Sequence, residues 1–136
     1  MSLKSAKAKA WKLFSEYIRR RGADHNSYQQ CVTCKKQVPW SELHAGHFID
    51  GRNNSVLFDE RLVWPQCVTC NVFRHGNKIE YFKFMRTKYS EKKIFEFENL
   101  KHAVKKMREA DYKELQEKYK LKIMALKGIY ASHERL

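Results

Sequence analysis

Cys31-Val-Thr-Cys34, Leu43-His44-Ala-Gly46-His47-Phe48 and Cys67-Val-Thr-Cys70-Asn71, with His75 four residues further on, are the residues that decide how this chain folds. The four cysteines form two Cys-x2-Cys pairs separated by 32 residues, and His44 and His47 lie in the loop between the pairs. Zinc binds four thiolates tetrahedrally, and a complete thiolate shell leaves no position for substrate. Cys31, Cys34, Cys67 and Cys70 therefore predict a structural Zn2+ that pins two distant segments together. A redox dithiol is the other use of Cys-x2-Cys, but no thioredoxin-like βαβ pattern surrounds either pair.

A closed cysteine shell moves any chemistry onto the histidines and the asparagine. Near neutral pH an imidazole can take a proton from water. A hard divalent cation, Mg2+ or Mn2+, can stabilise a phosphorane and its leaving oxygen. Imidazole nitrogen and amide oxygen are acceptable ligands for such an ion. His44, His47, Asn71 and His75 are thus a candidate site for phosphodiester hydrolysis. A helix starting near Asn71 and interrupted by Gly76-Asn77 is expected to carry Asn71 and His75 one turn apart on one face.

Charge supports a polyanionic partner. The chain has 136 residues and a net charge of +13. Residues 1–30 carry +5, residues 31–70 carry zero and residues 71–136 carry +8. The cysteine-histidine stretch is neutral and its flanks are basic, as suits a phosphate backbone that releases counterions on binding. No run of about 18 apolar residues is present, so no membrane span is expected. The Ala-rich, amphipathic N-terminus does not read as a signal sequence, which suggests a cytoplasmic protein.

The flanks read as helices. Ala10, Leu13, Phe14, Tyr17 and Ile18 follow a helical stripe with Trp11 beside it, predicting a helix over 1–21 that stops at Gly22. Arg19, Arg20 and Arg21 fall in its last turn, as a solvated cap or as phosphate contacts. Residues 22–30 read as a loop, 37–49 as a strand pair or irregular hairpin, Val56–Phe58 as a further strand and Lys78–Lys88 as a helix. From Phe97 through Leu100, Val104, Met107, Leu115, Tyr119, Ile123, Leu126 and Tyr130 a long stripe predicts one helix, or two with a bend near Asp111. Such a stripe fits either a helix packed on the domain or a dimerisation helix. The fold class is α+β. Residues 1–30 form a basic N-terminal helix and loop, 31–90 the zinc-bound core and 91–136 a basic helical extension for DNA binding or dimerisation.

The ordered motifs carry a resemblance. Cys-x2-Cys, Leu-His-Ala-Gly-His-Phe, Phe-Asp-Glu-Arg, Pro-Gln-Cys-Val-Thr-Cys-Asn and His-Gly-Asn, over Trp11 to Tyr81, resemble the phage NinG (Rap) family of recombination endonucleases. That family is similar to the HNH, or ββα-metal, nucleases and to phage endonuclease VII. The resemblance implies a small zinc-stabilised ββα-metal core. It implies a metal-dependent endonuclease cutting branched DNA such as Holliday junctions and D-loops. By position, His47 resembles the general base, Asn71 a ligand of the catalytic Mg2+ or Mn2+, and His75 a further ligand or phosphate contact. His44 falls where endonuclease VII has a metal-binding aspartate. Two positions depart from the wider pattern. Gly46 stands where HNH enzymes have an aspartate, and Leu62 where an asparagine orients the base. His44, or one of Asp50, Asp59 and Glu60, then takes the acid's place.

Arg52, Arg61 and Arg74, with Arg19, Arg20 and Arg21, are candidate phosphate contacts. The implied partners are DNA, a second copy of the chain and other recombination proteins. The implied setting is a phage or prophage protein in the bacterial host cytoplasm. Rival readings are a non-catalytic zinc-knuckle nucleic-acid-binding protein and an HNH nuclease acting on unbranched DNA.

Overall fold

The computed structural model describes residues 2–51 and 53–128; Arg52 and Tyr130 lie outside them. Helix α1 (Leu3–Arg20) begins at Ser2, whose hydroxyl accepts the Ser5 N–H, and the chain leaves it through Gly22 at φ +86°. Its buried face is Ala6, Ala10, Phe14 and Ile18. The two alanines and Tyr112 of helix α5 (Glu109–Leu126) form one apolar cluster, and Phe14 stacks edge-on against Tyr119 at 5.0 Å between ring centroids. The α5 stripe of Tyr112, Tyr119 and Ile123 is thus buried within the chain, the packed-helix alternative of the sequence reading.

Strand β1 (Tyr28–Gln30) lies within the stretch expected to be loop and pairs antiparallel with β2 (Gln37–Pro39). The first cysteine knuckle is the tip of this hairpin, turned by Lys35 at φ +70°. Strand β3 (His44–His47) pairs instead with β4 (Val63–Gln66), in the register His44↔Gln66, Ala45↔Pro65, Gly46↔Trp64 and His47↔Val63. The strands expected within 37–49 therefore exist but do not pair with each other. Ala45 and Val63 face α1 and α5, in one cluster with Phe14, Ile18 and Tyr119.

Val56–Phe58 is not a strand. Helix α2 (Asn54–Leu57) occupies the β3–β4 connection, because Asn53 caps it by accepting the Ser55 N–H. The same polar run interrupts the expected long helix. Asn53 donates to the carbonyls of Lys101 and Ala103, Asn54 to that of Lys105, and Ser55 to that of Leu100. Those carbonyls are satisfied without the helical ladder, and residues 103–107 run without helix between α4 (Glu91–Asn99), with its following 3-10 turn, and α5. Asp111, the gap in the apolar stripe, accepts the Arg108 N–H at 2.7 Å and starts α5. Val104, counted in that stripe, is 84% exposed.

A second core lies beneath the hairpin. Phe48, Ile49, Val56 and Leu62 pack there with Tyr81 and Met85 of α3 (Lys78–Arg86) and Ile94 and Phe97 of α4. Among the described residues, no helix is long and apolar enough to cross a membrane.

Candidate metal centre and adjoining cleft

The two hairpins bring the cysteines together. The sulfurs of Cys31, Cys34, Cys67 and Cys70 all lie within 4.8 Å of one another, with Cys34 and Cys67 3.7 Å apart. Zinc–sulfur bonds of about 2.3 Å in a tetrahedron require sulfurs roughly 3.8 Å apart, so the donor set fits the ion. Local donors prepare the thiolates. The Thr33 hydroxyl reaches Cys31 Sγ at 3.3 Å, the Cys70 N–H reaches Cys67 Sγ at 3.4 Å and the Asn77 amide reaches Cys70 Sγ at 3.4 Å. Burial opposes ionisation of Cys31, but the Thr33 hydroxyl and nearby backbone N–H groups outweigh it and bring the thiol to about 6. Cys34 is pushed up to about 12, by desolvation first and then by the neighbouring Cys31 and Cys67 sulfurs. One thiolate forms readily while Cys34 and Cys67 resist, as crowded thiols do until a cation neutralises them.

Beside this cluster is a cleft of about 520 Å3, lined by Trp11, Ala45, His47, Asp50, Gly51, Asn71, His75, Gly76 and Lys78. Three of the four predicted site residues line it. Asn71 belongs to a π-helical turn (Thr69–Phe73) that follows the second knuckle directly. His75 is not one helical turn further along a common face. It adopts φ +50°, between the turn and α3, with Gly76 at +91° and Asn77 at +48°. Three successive left-handed residues break the expected helix and swing His75 back into the cleft. His44 does not line the cleft; its Nδ1 sits 2.9 Å from the Asn71 amide nitrogen.

His47 is held from three sides. Its ring stacks on Trp11 of α1, with centroids 5.1 Å apart and planes at 24°. Its Nε2 lies 3.3 Å from the carbonyl of Leu57, the last residue of α2. Carbonyls at a helix end lack ladder partners, so this one is available to orient an imidazole. Lys78 holds the end of the strand, donating to the carbonyls of His47 at 2.7 Å and Phe48 at 2.9 Å while pairing with Asp50 at 3.0 Å.

The two departures noted in the sequence are accounted for. Leu62 is fully buried in the second core, and it is the Leu57 carbonyl, not a side chain at 62, that meets the His47 ring. A Cβ on Gly46 would fall 2.0 Å from Gln66 Oε1, so the Gln66 side chain fills the place of an aspartate there. Gln66 is itself fully buried and donates to Thr33 Oγ1 and to the Gly76 carbonyl, tying the first knuckle to the cleft wall. Trp11 and Leu57 were missed as site residues. Trp11 stands out in the sequence only as an aromatic beside a helical stripe, and a backbone carbonyl leaves no sequence signal.

Of the alternative acids, Asp50 lines the cleft. Asp59 instead binds the Arg61 guanidinium in two places, at 2.9 and 2.6 Å. Glu60 binds Arg21, Tyr119 and Lys122. Among the described residues the four cysteines are the one group of three or more Cys, His, Asp or Glu side chains at metal-binding separation.

The arginines divide in the same way. Arg21 is engaged within the chain. It donates to the carbonyls of Glu60 and Val63, both at 2.8 Å, and lies 4.0 Å over Trp64, so it pins α1 to β4. Arg19 and Arg20 flank Trp40, with Arg20 also paired to Glu16, and Arg61 is committed to Asp59. Arg74 is exposed, next to His75.

Comparison with curated proteins gives no match, and comparison with solved structures gives none. The family model for the Bacteriophage Lambda NinG protein matches residues 2–128, which span α1, both knuckles, the cleft and α5. The chain belongs to the NinG family.

Proposed function

We propose that this protein is a metal-dependent DNA endonuclease acting on branched recombination intermediates. The observation that carries this reading is the cleft that gathers His47, Asn71 and His75 from different segments beside the cysteine cluster. The chain order of strand β3, strand β4, then a helical turn and α3 resembles that of the ββα-metal nucleases. The motif resemblance to recombination endonucleases is what points to branched DNA, with a second copy of the chain serving the second strand.

In this reading His47 is the general base. A proton on Nε2 donated to the Leu57 carbonyl leaves Nδ1 as the basic nitrogen, and stacking on Trp11 fixes the ring's plane. Asn71, His75 and Asp50 are the cleft residues that would hold Mg2+ or Mn2+. When bound, the ion supplies positive charge to the departing 3′-oxygen. Arg74, exposed next to His75, would meet a phosphate there. Lys4, Lys7, Lys9 and Lys12 of α1 and Lys113, Lys118 and Lys120 of α5 give a sequence-independent grip on duplex arms.

The test is cleavage of a four-way junction, D-loop, flap, duplex and single strand with Mg2+, with EDTA as control. Branched substrates should be cut, and His47→Ala should lower the rate by about 10^2- to 10^4-fold without changing zinc content. Equal cutting by His47→Ala would remove the assigned base. Salt-dependent binding without cutting of any DNA would make the protein a zinc-knuckle binding module.

A further inference from the structure

His44 reaches Asn71 from outside the cleft. Asn71 lines the cleft, whereas the His44 ring, which does not, meets the Asn71 amide nitrogen 2.9 Å from Nδ1. An amide nitrogen donates and cannot accept, so Nδ1 of His44 is the acceptor and the ring proton resides on Nε2. A carboxamide has two unlike ends. With Nδ2 committed to His44, Oδ1 is the end left for whatever enters the cleft.

The backbones on both sides are already fixed. His44 sits opposite Gln66 in the β3–β4 ladder, and Asn71 donates its N–H to the Cys67 carbonyl at 2.9 Å, within the second knuckle. What the frame does not fix is rotation of the Asn71 amide about its last bond. Half a turn would present an NH2 group, which repels a cation.

We propose that His44 is a positioning residue that holds Asn71 with Oδ1 toward the cleft, as a hard oxygen donor for a divalent cation. The inference rests on the reading of the cleft as a cation site. It assigns His44 a role behind the ligand rather than as one.

Replacing Asn71 by aspartate tests this, because a carboxylate offers oxygen at both ends and has no orientation to lose. Mn2+ affinity is measured by electron paramagnetic resonance titration of the zinc-loaded protein. His44→Ala should weaken Mn2+ binding about 10- to 100-fold, the range for removing an outer partner of a metal ligand. His44→Gln, which can accept from the amide, should restore much of it. In the Asn71→Asp background, His44→Ala should leave affinity nearly unchanged. An equal loss in both backgrounds would make His44 a direct ligand and overturn the proposal. No loss in either would also overturn it. Wild-type affinity in Asn71→Ala would remove Asn71 as a donor and overturn the proposal, whereas absence of Mn2+ binding by the wild type would overturn the cation reading of the cleft itself.

Discussion

The cysteine cluster and the cleft beside it are opposite ways of building a polar centre. In the first, four like donors converge within 4.8 Å and leave no room for anything but an ion. In the second, unlike donors line about 520 Å3 and three of them are held by different partners: His47 by Trp11 and Leu57, Asn71 by His44, Asp50 by Lys78. A closed shell stabilises a fold, whereas an open set of separately restrained groups can receive a substrate. The contrast shows why metal-ligand residues in one short chain need not share a job. It also shows that the second set depends on the first for its placement, through Asn71 directly after Cys70.

The largest effect should come from breaking the closed set. Structural zinc sites are worth an apparent 10–16 kcal/mol or so in zinc-finger peptides, as much as the whole stability of a small domain. Cys70→Ala, or a strong chelator, should therefore abolish cooperative unfolding, checked by circular dichroism melting with zinc content measured in parallel. A sharp melt in the zinc-free protein would mean that the two cores hold the frame without the ion.

An intermediate effect should come from the joint between the regions. Gly46→Ala forces Gln66 away from Thr33 and Gly76, and overpacking of this kind costs about 1–3 kcal/mol. Gln66→Ala strands the same partners, at a similar cost of about 1–3 kcal/mol. The double variant should lose less than the two single losses combined, with a coupling of about 0.5–3 kcal/mol in denaturant unfolding. Strict additivity would show that Gln66 does not link knuckle to cleft.

The smallest effect concerns the scaffold that both regions share. Burial opposes the Glu60 carboxylate, but hydrogen bonds from Lys122 and Tyr119 and the charges of Lys122 and Arg21 outweigh it and hold its pKa below the ordinary 4.5. A carboxylate with a lowered folded pKa stabilises the fold above its unfolded value, and that contribution fades as pH falls from about 4.5 through the folded value. Acid unfolding of Glu60→Gln should therefore be flatter in that window than that of the wild type. Identical acid limbs would remove Glu60 as a contributor.

What the sequence made legible follows from range. Cys-x2-Cys spacing is a local property of a knuckle, so the four sulfurs could be assigned before any fold was known. The stripe Ala10, Phe14 and Ile18 likewise announces α1. His75 is turned by its own left-handed backbone, but other differences involve a distant partner. Val56–Phe58 has strand-like composition, yet Asn53 and the backbone of 100–105 hold its neighbours in a helix cap. Arg21 looked like its two neighbours until β4 supplied carbonyls for it. Gly46 looked like a missing aspartate because nothing local shows that Gln66, from another strand, fills that place.

The packing of α1 on α5 has a consequence for the order in which the molecule is completed. Gln116 donates to the Ala6 carbonyl at 2.9 Å across 110 positions of sequence, and Tyr119 closes over Phe14. All four sulfurs have been synthesised by residue 70, together with the β3 and β4 partners of α1, but its α5 partners follow later. During synthesis the ion-binding cluster can therefore form while Ala6 and Ala10 still lack Tyr112, and Trp11 comes to rest on His47 as part of a helix still waiting for its α5 cover. The cleft is finished from behind, by a segment that contributes none of the residues lining it.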